Sequence, residues 1–295
     1  MGQITIFTAP KGFSDPHINI IQRNAIQSWK ALGPRVEVLL IGDETGMGDT
    51  AAEFGVGHLP EVERNEFGTP LVNSIFDIAR KYASSQTLIY LNADIILLPD
   101  CFTVIDAIQK RYRDYLLVGR RWDLNISWEI DFKTEWTTAI EDLMKKEGQL
   151  RSISAMDYFI FPVHLFQEIL PFAIGRAGWD NWMIYHAVHQ PWPVIDITPS
   201  HRVIHQNHDY RHLPDGAAHY DLEESYHNVD LAGGMKSSYD LLDVPLVYRE
   251  GLVQRKRINL PRVLRKLERL VIPAEQKGLR WIMTRFLRKL RRRIS

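Results

Sequence analysis

The chain has 295 residues, 45% of them apolar and 24% charged, the balance of an ordinary globular protein with room for a large core. None of its apolar runs approaches the ~18 residues of a membrane span, so the sequence describes a soluble or peripheral protein. A formal net charge of zero conceals a division: residues 251–295 hold 15 Lys and Arg against Glu268 and Glu275, and the first 250 residues carry the matching excess of acid.

The N-terminus runs straight into a strand pattern, "ITIFTAP" (residues 4–10), without the basic segment and apolar stretch that would mark it for secretion. Cys101 is the only cysteine, which rules out an internal disulfide and fits a reducing, cytoplasmic setting. Ser14 and Asp15 before Pro16 form a helix start. Ile18, Ile21, Ala25, Trp29 and Leu32 then recur at helical spacing until Gly33 and Pro34 stop them. "VEVLLIGD" (residues 36–43) is a second strand. Thr69 and Pro70 open a helix to about Ala83, and "TLIYLNADIIL" (residues 87–97) is the strand after it. Further helices are predicted at 100–111, 134–146 and 179–189, and further strands at 115–119, 157–162 and 193–198. The alternation over the first 120 residues predicts a mainly parallel α/β sheet covered on both faces. We expect one such domain over residues 1–250 and a separate basic tail over 251–295.

In these sheets ligands gather beyond the carboxyl ends of the strands. Asp43 ends one strand, and Asn92 and Asp94 lie in the run that ends another. A charged carboxylate at the edge of a core needs a partner. Two readings stand: Asp94 caps a turn or pairs with an arginine, or it joins other oxygen ligands on Mg²⁺ or Mn²⁺.

This arrangement resembles the GT-A fold glycosyltransferases, particularly family 2-like enzymes, over residues 4 to about 210. The resemblance implies a Rossmann-type sheet and sugar transfer from a nucleotide-sugar donor to a hydroxyl acceptor. In that superfamily a strand ends in Asp-x-Asp, whose carboxylates hold a divalent metal (Mn or Mg) against the donor diphosphate. Here "NAD" stands in that place, which implies one of two arrangements: Asn92 stays an oxygen ligand with less charge and weaker metal affinity, or Asn92 contacts ribose while Asp94 alone meets the ion. By the same resemblance Thr8, Ala9 and Pro10 cradle the nucleotide and Asp43 meets its base or ribose. Arg64, Asn65, Gly68 and Asn73, in the segment before the third strand, reach the donor.

Downstream, "GRAGWDNWMI" (residues 175–184) is similar to the acidic helix start beneath the acceptor in inverting members. It makes Asp180 the base, with Trp179 and Asn181 at the substrate, although Asp180 alone also reads as a favourable charge in a first helical turn. "VIHQNHDY" (residues 203–210) has the form of the late metal-binding element, which puts His205 first and His208 second as ligands. Zinc is the other metal that a His-x-x-His pair suits, but no cysteine or further close carboxylate completes a tetrahedral set. Near the acceptor side, Arg120 and Arg121 in "GRRWDL", with Trp122, either clamp a diphosphate bidentately or pair with nearby acids, and Asp157 stands before its strand where acceptor hydroxyls are held in this superfamily.

In the tail, Leu260, Leu264, Leu267 and Val271 form one apolar stripe and Leu279, Ile282, Phe286 and Leu290 another, both surrounded by Arg and Lys. Such basic amphipathic helices suit an anionic membrane surface, which would make the acceptor lipid-linked or another carbohydrate of the envelope. Packing on the main domain is the plainer reading. The acidic body argues against nucleic acid as a partner. Two alternatives to sugar transfer stand: a nucleotidyltransferase, for which the loop "TAPKGFSD" has one glycine, and a binding protein with a degenerate fold, which Asn92 keeps open.

Overall fold

The structure is a computed structural model and describes residues 3–208, 221–273 and 277–294; Asp209 and Tyr210, at the end of the late histidine segment, and Glu275 lie outside the described residues. Strand β1 (Ile4–Thr8) leads to helix α1 (Pro16–Ala31), where the Asp15 carboxylate accepts the amides of His17 and Ile18 at 2.9 Å. Such a cap is worth about 1 kcal/mol. Next come β2 (Val36–Ile41), α2 (Met47–Phe54), β3 (Gly57–Leu59), α3 (Val72–Tyr82) and β4 (Thr87–Leu91). Within this half the strands run parallel in the order β4-β1-β2-β3. Helix α2 and strand β3, at 8 and 3 residues, are too short to register as periodic patterns.

The single strand expected over residues 87–97 is corrected to two. The chain leaves the sheet at Leu91, turns with the Ile95 amide donating to the Asn92 carbonyl at 3.1 Å, and resumes as β5 (Ile95–Leu97) in a different sheet. Both halves are fully buried, so together they read as one apolar run.

After α4 (Asp100–Gln109) follow β6 (Leu116–Val118), β7 (Trp122–Leu124), α5 (Trp136–Glu147), β8 (Gln149–Leu150), β9 (Tyr158–Pro162), α6 (Trp179–Val188), β10 (Val194–Asp196) and β11 (Val203–Gln206). The chain closes with α7 (Glu223–Leu231), β12 (Leu246–Arg249), β13 (Leu252–Arg255), α8 (Leu260–Val271) and α9 (Gly278–Arg292). The main sheet has the order β13-β12-β10-β6-β9-β4-β1-β2-β3, and β5-β11-β7-β8 form a second sheet. Among the described residues, only β9 and the β12–β13 hairpin introduce antiparallel pairs into the first.

Alternate residues of β1 face opposite layers. Ile4 and Ile6 pack with Trp29 of α1 and Ile105 of α4, while Phe7 packs with Phe76 of α3 and the α6 side. The expected boundary at residue 250 falls inside the β12–β13 hairpin, and β12 pairs with β10, so the basic segment enters the main sheet before its helices begin. Those helices are turned against their amphipathic pattern. Arg265, Glu268, Thr284 and Arg291 are buried, whereas Leu270, Leu279, Ile282 and Phe286 are 64–73% exposed. Glu268 accepts from Arg265, Arg288 and Arg291 at 3.2, 2.9 and 3.0 Å, and Arg265 reaches Asp243 at 2.6 Å.

Candidate active site

Strand register assembles the site. Thr8 stands opposite Leu40, and Phe7 opposite Tyr90, so the ends of β1, β2 and β4 share one rim with Ala9, Pro10, Asp43 and Asn92 just beyond. The antiparallel pairing of Leu91 with Tyr158 brings Asp157 to that rim. Gly119 lets the chain leave β6 past Tyr158, whose hydroxyl would lie 2.2 Å from a Cβ there. In the second sheet His205 is registered between Ile95 and Asp123, which sets it beside Asp94.

The Asp94 Oδ2 lies 3.1 Å from His208 Nε2 and 3.6 Å from His205 Nε2. One ligand atom from each of the three falls within 4.8 Å of the others. The Asp94 Oδ1 is buried and has no hydrogen-bond partner among the described residues. Burial opposes the charge on Asp94, but His205, His208 and Lys11 outweigh it and hold the carboxyl well below the usual range. His205 Nδ1 lies 3.4 Å from Asp123 Oδ1 without forming a hydrogen bond; an outer carboxylate in that place commonly orients a ligating imidazole. A carboxylate with an orphaned oxygen beside two imidazoles fits a divalent cation.

Asn92 is a connector. The Tyr90 hydroxyl donates to its Oδ1 at 2.9 Å, and its Nδ2 donates to Asp157 Oδ1 at 2.8 Å. Arg121 lies 2.7 Å from Asp157 Oδ2 and 2.9 Å from Asp123 Oδ1, so of its two readings the pairing with nearby acids is the one the side chain adopts. Trp122 packs on the core of the second sheet.

Asp180 sits in the first turn of α6, entered through Gly178 at φ 108°. A side chain at Gly178 would be strained there and would press on Val229 at 3.3 Å. Burial raises the Asp180 carboxyl to about 6; the backbone amides of Asn181, Asp180 and Gly178 oppose that shift, and the Asp157 charge adds to it. The Tyr90 phenol is likewise pushed up by burial and by the charges of Asp94, Asp157 and Asp180, which joins both halves of the site through one ring. The expectation that Trp179 offers a face to substrate is corrected: its ring is buried against Tyr90, Phe159 and Phe76. Asn181 donates to the Tyr239 carbonyl at 2.8 Å.

On the other flank Arg64 bridges Asp43 at 2.7 Å and Glu44 at 2.9 Å, and also donates to the Gly68 carbonyl at 2.9 Å. Asp43 keeps 68% of its side chain exposed. Asn65 shapes the turn instead, accepting the amides of Phe67 and Thr69 and donating to Glu224 at 2.7 Å. The Thr8 hydroxyl and the Asn73 Oδ1 are buried without a hydrogen-bond partner among the described residues. Sequence reasoning passed over Tyr90 and Asp123; each looks like a strand residue until sheet register supplies its neighbour.

No family model and no curated protein sequence matches the chain. By structure it is similar to S. aureus TarS 1–349 in complex with UDP-GlcNAc, at 12% identity and TM-score 0.50 over 78% of this chain and 65% of that one. That alignment spans less than two-thirds of the TarS fragment. A structure of TarS 1–349 described without the ligand aligns at 10% identity and TM-score 0.50 over 99% of this chain and 92% of that one. M. tuberculosis glucosyl-3-phosphoglycerate synthase gives 12% identity and TM-score 0.48 over 88% and 89%. At such identities the likeness is one of architecture, and the architecture is the GT-A type that the sequence resemblance implies.

Proposed function

We propose that the chain is a metal-dependent glycosyltransferase that moves a sugar from a nucleotide donor to a hydroxyl acceptor with inversion. The observation that carries this reading is the convergence of Asp94, His205 and His208 on the same rim as a carboxyl raised to about 6, Asp180. TarS, of similar fold, holds UDP-GlcNAc, which supports a nucleotide sugar as donor.

Asp94, His205 and His208 would hold Mn²⁺ or Mg²⁺, and a bound divalent cation neutralises the charge that gathers on a departing diphosphate. Thr8, Ala9, Pro10 and the Asp43–Arg64 pair flank the donor side. Asp180 accepts the proton of the acceptor hydroxyl as that oxygen bonds to the anomeric carbon and the bond to the diphosphate breaks. Asp157, held by Asn92 and Arg121, keeps the adjacent negative charge that helps raise Asp180.

The reading extends to the cytoplasmic face of a membrane. Ile282 and Phe286, 64% and 66% exposed, share α9 with Arg285, Lys289 and Arg292. An apolar strip with a basic surround suits an anionic leaflet, where each cation contributes roughly 1 kcal/mol. No helix among the described residues is long and apolar enough to cross a membrane. The test is donor hydrolysis or transfer across a panel of nucleotide sugars with Mn²⁺ or Mg²⁺. Absence of both turnover and nucleoside-diphosphate binding with either metal ends the enzyme reading.

A further inference from the structure

A cavity of about 420 Å³ lies where the basic helices meet the catalytic sheet. One wall brings Arg120, Ser154 and Asn181 from the active-site side, and the other brings Arg288, Arg291 and Arg292 from α9. Asn181 directly follows Asp180 in α6, so the cavity wall includes the helix that carries the proposed base.

The charges lining the cavity do not balance. Arg265 is matched by Asp243 and Glu268, Arg291 by Glu268 and Asp240, and Arg288 through its Nε by Glu268. Arg120 donates to carbonyl oxygens, those of Arg151 at 2.5 Å and Leu150 at 3.3 Å, and the carboxylate whose charge reaches it, Asp196, is already paired with Lys256 at 2.6 Å; Arg292 forms no ion pair among the described residues. Five guanidinium groups therefore face three carboxylates. The Ser152 and Ser154 hydroxyls, 3.0 Å apart, add neutral donors at the same wall. Convergent guanidinium forks with hydroxyl donors suit a tetrahedral oxyanion, and the volume admits more than a lone carboxylate.

We propose that this cavity receives a phosphate group carried by the acceptor, so that the substrate is a phosphate-bearing hydroxyl compound. The word acceptor rests on the transferase reading; the anion site does not. With the full chain in EDTA, which strips metal from the donor side, inorganic pyrophosphate should bind and raise the Tm. Arg292→Glu should weaken that binding about tenfold or more, as loss of one charge-assisted hydrogen bond implies, while nucleoside-diphosphate binding with Mn²⁺ stays unchanged. Arg292 is exposed, so this variant folds even where Arg120→Gln, expected to weaken pyrophosphate similarly, does not. Unchanged pyrophosphate affinity in Arg292→Glu, or no binding by the parent chain, overturns the proposal. Loss of Mn²⁺-dependent nucleotide binding by the parent chain with pyrophosphate binding intact would remove the transferase reading and leave the anion site standing. To separate the sources, phosphatidylcholine vesicles carrying a polyprenyl phosphate are compared with a sugar phosphate in solution. Retention on those vesicles that depends on Arg120, which stands outside the basic strip of α9, assigns the phosphate to a lipid carrier, and competition by the sugar phosphate alone assigns it to a soluble acceptor.

Discussion

Asp94 and His205 face each other across the turn that divides the two sheets, Oδ2 to Nε2 at 3.6 Å, and Asp123 lies on the far side of the imidazole at 3.4 Å. Asp94→Ala should abolish Mn²⁺-dependent binding of a nucleoside diphosphate. Asp123→Asn should weaken it by about 10–100-fold, the usual range for an outer partner, and His205→Ala by at least as much. Calorimetric titration decides: unchanged affinity in Asp94→Ala would leave the strand-end carboxylate structural.

Asp180 should couple rate to stability in opposite senses. Its base form is populated above about 6, so transfer should climb as pH rises through that value. The folded value lies above that of a free aspartate, so the protonated form favours the native state. Its stabilising contribution is full below about pH 4 and is lost as pH rises through about 6. Asp180→Asn should therefore raise stability at neutral pH by on the order of 2–3 kcal/mol while abolishing transfer. Urea unfolding against pH tests this, and an equal loss of stability at every pH would contradict it.

Restoring the acidic pair by Asn92→Asp should cost stability in the metal-free protein. The amide now donates to Asp157 at 2.8 Å; a carboxylate there meets a like charge and loses the bond. We expect about 1–3 kcal/mol of destabilisation, shrinking as pH falls and one of the two carboxyls is protonated.

Glu268 is fully buried and answers three arginines. Glu268→Ala would leave buried cations uncompensated, at a cost of roughly 3–5 kcal/mol. Amide exchange in α8 and α9 should accelerate; intact protection would mean that other contacts dock these helices.

Because Ile282 and Phe286 are 64% and 66% exposed, replacing both with Ser should change stability by no more than about 0.5 kcal/mol per site. Binding to anionic vesicles should nevertheless fall. If it does not, the apolar strip is not the membrane contact.

Local pattern carried the strands, the capped start of α1 at Asp15 and Pro16, and the strand-end position of Asp94, because periodicity and capping act over a few residues. The mainly parallel sheet follows from the order of those elements, and its GT-A type is implied only by the resemblance of the motifs set along it. Only the folded chain separates β4 from β5, since an apolar run records burial and not which sheet does the burying. Register between segments about a hundred residues apart sets His205 between Ile95 and Asp123, and no local spacing encodes such a pairing. Trp179 beside Asp180 looks equally fit for a sugar or a core until Tyr90 and Phe159 enclose it. Likewise the tail's sequence shows a basic face and an apolar face but not which turns inward. Asp240, Asp243 and Glu268 decide it by meeting Arg265 and Arg291, because a buried cation is tolerated where carboxylates already stand to compensate its lost hydration.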